Sequence, residues 1–452
     1  MQYNSGDTAW VLGSAALVLF MTPGLAFFYG GMVRSKNVLG MLMQNYVVMG
    51  LVSVIWVLLT YSLAFGVDLG GKGLLGSLHF AGLAHMTQPV PGYSGPIAQT
   101  IPPLAFVVFQ MMFAIITPAL ITGSTADRLK FGAFVVAISL WAILVYAPVA
   151  HWVFSPTGWL FKLGAEDFAG GTVVHVNAGI AGVALALVAG RRRGWPKEPM
   201  PPHALPLTLL GAGILWFGWF GFNAGSALAA NQLAAQAFVN TNTATAAALL
   251  GWIATEKLRN GKSTTLGAAS GAVAGLVAIT PAAGVVNVIG ATVIGIIAGA
   301  VCALATTVKY RLGLDDSLDV GAVHLVGGLT GALLIGLFGT STVAGADGLF
   351  YGGGLGLLGH QAVAVAAVGA YSFVVSYGIG KLVDRVMGLR VDEAAERDGL
   401  DTSQHAETAY ELGLVLARGL GAAAAHAAAT GTAPAPQPAH AHAGSPSTGA
   451  DA

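Results

Sequence analysis

Long apolar stretches, broken by short polar segments, run from about residue 8 to residue 383. A helix needs roughly 20 mostly apolar residues to cross a bilayer. Windows of that length fall at roughly 8 to 31, 38 to 66, 101 to 122, 131 to 150, 171 to 190, 204 to 225, 237 to 255, 263 to 281, 288 to 308, 319 to 339 and 359 to 383. The pattern predicts an all-α, polytopic membrane protein of about eleven transmembrane helices. Its faintest windows are the two Gly-rich segments near residues 270 and 325. Composition agrees, with 9% charged and 55% hydrophobic residues, against about 25% charged in ordinary globular chains. The first residues, "MQYNSGDTAW", lack the basic region of a cleaved leader, so the first helix is expected to be retained.

The polar segments set the orientation. With the N-terminus outside, eighteen of the twenty lysines and arginines fall in inner loops or the C-terminal tail, and only Lys72 and Lys162 lie outside. The positive-inside rule therefore predicts N-out and C-in, which requires an odd number of crossings. A formal net charge of zero argues against a nucleic-acid partner. The single cysteine, Cys302, lies within a span and excludes an intrachain disulfide.

Glycine is abundant, with 64 residues in runs such as "GAASGAVAG" and "GGLTGALLIG", a composition suited to close helix packing rather than to a phosphate loop. The chain divides into a transmembrane domain over 1–390, with repeats at about 8–190 and 204–339 and a last helix at about 359–383. A polar cytoplasmic segment follows at 391–420, then an Ala/Pro/His-rich tail at 421–452 that is expected to be disordered. The tail histidines lack metal-ligand spacing, and no cofactor is expected.

Two stretches match each other. "DFAGGTVVHVNAG" and "DVGAVHLVGGLTG" both contain V-H-x-x-x-G-x-x-G, placing His175 with Gly179 and Gly182 in the fifth span and His324 with Gly328 and Gly331 in the tenth. Aspartates precede them, Asp167 and Asp319. The first motif enters the membrane from outside and the second from inside. A five-span unit repeated after an odd number of crossings is inverted, which puts a functional site at the repeat interface near mid-bilayer. A lone intramembrane histidine is as readily a helix-packing hydrogen bond as a functional group. Two in matched positions favour function, because adjacent imidazoles share a proton, one nitrogen donating and the other accepting. Zinc is disfavoured by the lack of a third ligand, and an intramembrane enzyme by the lack of a nucleophile or metal beside the pair.

These residues also carry a resemblance. "DFAGGTVVHVNAG", "WFGWFGFNAGSA", "AFVNTNTATAAALLGW", "FYGGMVRSKN" and "GLRVDEAAERDGLDTSQHAETAY" resemble signature stretches of the ammonium transporter family, the Amt/Mep/Rh proteins, from about Gly13 to Tyr410. The resemblance implies a homotrimer of eleven-helix subunits in the inner (plasma) membrane. Each subunit would carry ammonium or ammonia through its own pore, with the polar tail helping to dock a cytosolic PII-type signalling protein; a sensor with little flux is the alternative. It further implies that His175 and His324 are the paired pore histidines. Ser226, with Phe109 and Phe113, would form the outer recruitment site, and Phe113 and Phe222 the rings that close the pore. Asp167 would be the aspartate below that site, as helix cap, ion contact or both. Gly388 in "MGLR" would be a hinge at the start of the tail. The chain departs from the family at "HWVFSPTG": Phe154 stands where a tryptophan is common, and phenylalanine is the weaker cation–π partner. Trp152 or Trp159 could compensate.

Overall fold

The computed structural model describes residues 3–410. The tail expected to be disordered, 421–452, and the last ten residues of the segment 391–420 lie outside the described residues. Eleven long helices occur among them: α1 (Ser5–Met32), α2 (Ser35–Phe65), α3 (Pro103–Thr125), α4 (Phe131–Leu163), α5 (Gly171–Ala189), α6 (Leu205–Gly225), α7 (Gln232–Asn260), α8 (Thr265–Ile279), α9 (Val288–Leu312), α10 (Gly321–Phe338) and α11 (Gly356–Met387). Nine of these are long and apolar enough to cross a membrane by themselves. The other two are α7 and α8, and both deviate for a physical reason. α8 is short and nearly all buried, so small residues replace bulky apolar ones. α7 uses its polar residues inside the protein: Asn240 Nδ2 donates to Ala283 O and Val286 O at 2.8 and 2.7 Å, satisfying the backbone where the chain breaks between α8 and α9.

Local sequence starts the helices where they start. Asn4, Asn231, Thr264 and Asn287 cap α1, α7, α8 and α9, each side chain accepting from a backbone N–H three residues on. α5 and α10 open differently. Their first turns, Gly171–Val176 and Gly321–Leu325, are wound as π-helix, and each carries its motif histidine. Such turns widen the helix locally and recur at functional sites.

The two opening turns meet at the centre of the molecule. A Cβ on Gly179 would collide with the backbone of Leu325, next to His324, while one on Gly328 would come within 2.9 Å of Gly171 O and 3.1 Å of His175 Cβ. The glycine four residues after each histidine is thus the hole into which the other motif fits.

On the inner face the segment after α11 docks against the spans. Gly388 has φ +71°, a left-handed turn. The strand-like stretch after it pairs with the turn between α3 and α4, with Lys130 N donating to Leu389 O and Val391 N to Arg128 O, each at 3.0 Å. Two short helices follow, α12 (Glu393–Asp398) and α13 (Leu400–His405). Glu396 accepts from Arg390 Nη2 and from Arg193 N, and Asp401 accepts from Gly40 N at the start of α2.

Candidate functional site

Between the two faces lies a path of three compartments. The outer one is a cavity of about 450 Å³ with Phe113, Phe154, Glu166, Asp167 and Ser226 in its wall. Below it Phe113 and Phe222 stand 4.3 Å apart between ring centroids, both essentially fully buried, and close the path. Next comes a slot of only about 10 Å³, bounded by Leu25, Ile116, Trp219, Phe222, His175 and His324. A cavity of about 170 Å³, reached past His324 and Tyr29, opens towards the inner face.

The histidines meet as their matched motifs predict: His175 Nδ1 lies 3.3 Å from His324 Nδ1, with the rings 5.4 Å apart and inclined by 21°. The surrounding hydrogen bonds favour one arrangement of their protons. Tyr29 Oη has one hydrogen, and it donates to Leu120 O at 3.2 Å, so towards His324 Nε2, 3.5 Å away, it accepts. In that arrangement His324 carries its proton on Nε2 and accepts at Nδ1, and His175 donates from Nδ1. His175 Nε2 is buried and unpartnered, and in that arrangement it is a lone pair. The pair is thus a chain of donors that ends, on the outer side, in a base.

Asp167 is spent on the backbone. Its Oδ1 accepts from Gly170 N and Gly171 N and its Oδ2 from Thr172 N and Val173 N, at 2.6 to 3.0 Å, which ties down the donors that the opening turn of α5 cannot pair internally. Its counterpart in the second repeat is a correction to the sequence reading. Asp316, eight residues before His324 as Asp167 is before His175, accepts from Val320 N and Gly321 N at the head of α10. Asp319 instead adopts φ +61°, pairs with Lys309 Nζ at 2.8 Å and faces the inner cavity.

Ser226 Oγ donates to Phe222 O at 2.8 Å, so only its lone pairs remain for a visitor to the outer cavity, the polarity that suits a hydrogen-bond-donating cation. Phe109 packs behind Phe113, 5.0 Å between centroids, and lies outside the cavity wall. Phe154 does line the cavity, edge-on to Phe113 at 6.3 Å. Neither neighbouring tryptophan replaces it: Trp152 Nε1 is tied to Leu74 O at 2.8 Å, and the Trp152 ring packs on Trp159 and Tyr371 away from the cavity. Sequence reasoning overlooked Gln110, Tyr93 and Glu166, all in the same wall. Gln110 shares a helix with Phe113 at three-residue spacing, a signal that was available; Glu166 had none beyond its place beside Asp167. Among the described residues no group of three or more His, Cys, Asp or Glu side chains is arranged to hold a metal.

Known proteins share this construction. The profile of the Ammonium Transporter Family matches residues 9–410. An ammonium transporter of Mycobacterium tuberculosis is 52% identical over 91% of both chains, and that of Bacillus subtilis 49% identical over 90% of this chain and 98% of its own. Among solved structures, Mep2 of Candida albicans superposes with a TM-score of 0.81 at 34% identity, covering 87% of this chain and 88% of its own. A protein described as a sensor Amt protein gives 0.80 at 29% identity, covering 88% of this chain and 98% of its own. An inverted eleven-helix fold with two histidines in contact at its centre, matched in sequence over nearly its whole length, makes this chain a member of the ammonium transporter family.

Proposed function

We propose that this chain moves ammonium by binding it as a cation in the outer cavity and passing it inward as ammonia, with its proton handed to the histidine pair. The observation that carries this reading is the unpartnered Nε2 of His175, placed on the inner side of the ring gate. Ammonium has four donors. Ser226 Oγ and the faces of Phe113 and Phe154 replace part of its water, each ring contributing about 0.5 to 2 kcal/mol. Potassium enjoys the ring attraction but has no hydrogen to donate to Ser226. Beyond the rings the slot is apolar, and a bare charge there costs at least ~2.5 kcal/mol. Ammonia passes without that cost.

The proton has a separate route. His175 takes it on Nε2 and gives the Nδ1 proton to His324, which releases its own from Nε2 to the inner cavity beside Tyr29. Each passage leaves both rings in the opposite tautomer, so the pair resets before it relays again.

The same reading places the chain in the plasma membrane as a homotrimer, with the docked segment after Gly388 as the inner contact for a PII-type signalling protein. A sensor role is a second reading, favoured by the likeness to the sensor Amt protein and by the way α12 and α13 lie across the inner loops. Currents in proteoliposomes separate the two. Wild-type protein is expected to carry saturable ammonium current, and replacing His175 and His324 together by apolar residues is expected to abolish it with the fold intact. Unchanged current in the double variant rejects the relay, and absence of flux in the wild type favours the sensor.

A further inference from the structure

The outer cavity holds a carboxylate that neither the helix cap nor the ring gate uses. Glu166 adjoins Asp167, but its side chain is differently engaged: Oε1 accepts from Ala346 N at 2.6 Å, and Oε2 is buried with no partner. The residue is clamped from behind. Gln361 of α11 accepts from Glu166 N and donates to Glu166 O, both at 2.7 Å, and donates also to Ala332 O of α10. Residue 345 is glycine, and a Cβ there would stand 2.9 Å from Glu166 Oε2, so backbone alone lies against that oxygen on this side.

A carboxylate oxygen that is sealed from bulk water and unpaired is costly unless a donor reaches it or a proton neutralises it. Backbone donors nearby are taken: those at the head of α5 by Asp167 and that of Ala346 by Oε1. No lysine or arginine pairs with Glu166 among the described residues. Glu166 forms part of the cavity wall together with two further acceptors, Ser226 Oγ and the buried, unpartnered Oε1 of Gln110, so the donor left open to it is one in the cavity.

We propose that Glu166 is a cation-holding residue of the outer cavity, its Oε2 accepting a hydrogen bond from ammonium or a small alkylammonium ahead of the Ser226 position. The assignment rests on the outer cavity being the entry site. Burial pushes the Glu166 carboxyl up to about 7, and its ionised form puts a negative charge at the mouth where the ring gate offers only quadrupoles, which raises the local concentration of the cation.

Glu166→Gln keeps the acceptor for Ala346 N and removes the charge. Ammonium and methylammonium currents in proteoliposomes are expected to show a half-saturation concentration raised about five- to tenfold with maximal current kept. The wild type, and Glu166→Asp, are expected to lose apparent affinity as sodium gluconate raises the ionic strength, and Glu166→Gln to be insensitive. Half-saturation and salt response equal to wild type in Glu166→Gln overturn the assignment. Should that variant misfold, a wild-type half-saturation that ignores ionic strength overturns it equally. Ser226→Ala separates this from the reading beneath it: a current that responds to Ser226→Ala and not to Glu166→Gln removes Glu166 alone, whereas no response to either removes the outer cavity as entry site.

Discussion

The outer and inner halves of the path are one motif used twice, yet they treat a cation in opposite ways. Outside, the aspartate at the helix head is saturated by four backbone donors, and the cavity is left with unpartnered acceptors on Ser226, Gln110 and Glu166. Inside, Asp316 caps with two donors, and the carboxylate that faces the cavity, Asp319, is already paired with Lys309. A cation arriving outside finds lone pairs; a cation forming inside finds a carboxylate that a lysine has neutralised. Under the proposed function, symmetry builds the passage and its breaking separates capture from release.

The largest difference expected between the halves is in stability. Asp167→Ala orphans four donors at the head of α5, each buried donor being worth about 1 kcal/mol or more. Asp316→Ala orphans two. Thermal unfolding in detergent is expected to show a loss of about 4 kcal/mol for the first and roughly half of that for the second; equal losses would mean that the two caps are equivalent.

The ring environment comes next. Phe154 lines the outer cavity with no tryptophan beside it to share the work, so Phe154→Trp enlarges the cation-binding face. A half-saturation concentration lower by up to about tenfold is expected from a gain near 1.4 kcal/mol. An unchanged or higher value shows that residue 154 does not touch the ion.

The smallest effect sharpens the inner side. Lys309→Gln frees Asp319, which then holds the cation that it now ignores, and maximal current is expected to fall by about two- to fivefold. Adding Asp319→Asn restores it. A double variant as slow as the single one assigns Lys309 a packing role at the α9–α10 junction instead.

Much of this was legible in the chain because bilayer thickness imposes a length on apolar runs. Even α8, which is too short to stand out by length, was read from its apolar window at 263 to 281. The histidine pair was legible because an inverted repeat forces matched residues to meet. What escaped depended on spacing or on distant partners. Asp319 was paired with Asp167 by proximity to a histidine, although the eight-residue interval belongs to Asp316, and intervals decide what a side chain can cap. Phe109 precedes Phe113 by one turn and so shares its helix face, yet only packing told that it backs the gate. Glu166 gained its meaning from Ala346 and Gln361, nearly two hundred residues away, and no local pattern announces such a partner.

Gly179 and Gly328 make the two halves legible only together. Each motif's glycine is the seat of the other motif's histidine turn, so the instruction for placing His324 is written partly in α5 and that for placing His175 partly in α10. A protein assembled this way cannot be edited one half at a time. A side chain added at residue 179 displaces α10 and its histidine, while every contact that α5 makes elsewhere stays as it was. Replacing one repeat with a relative's, or rebuilding one half as a scaffold, succeeds only when the partner's crossing is carried along, which makes the crossing of α5 and α10, rather than either repeat, the smallest part that can be inherited whole.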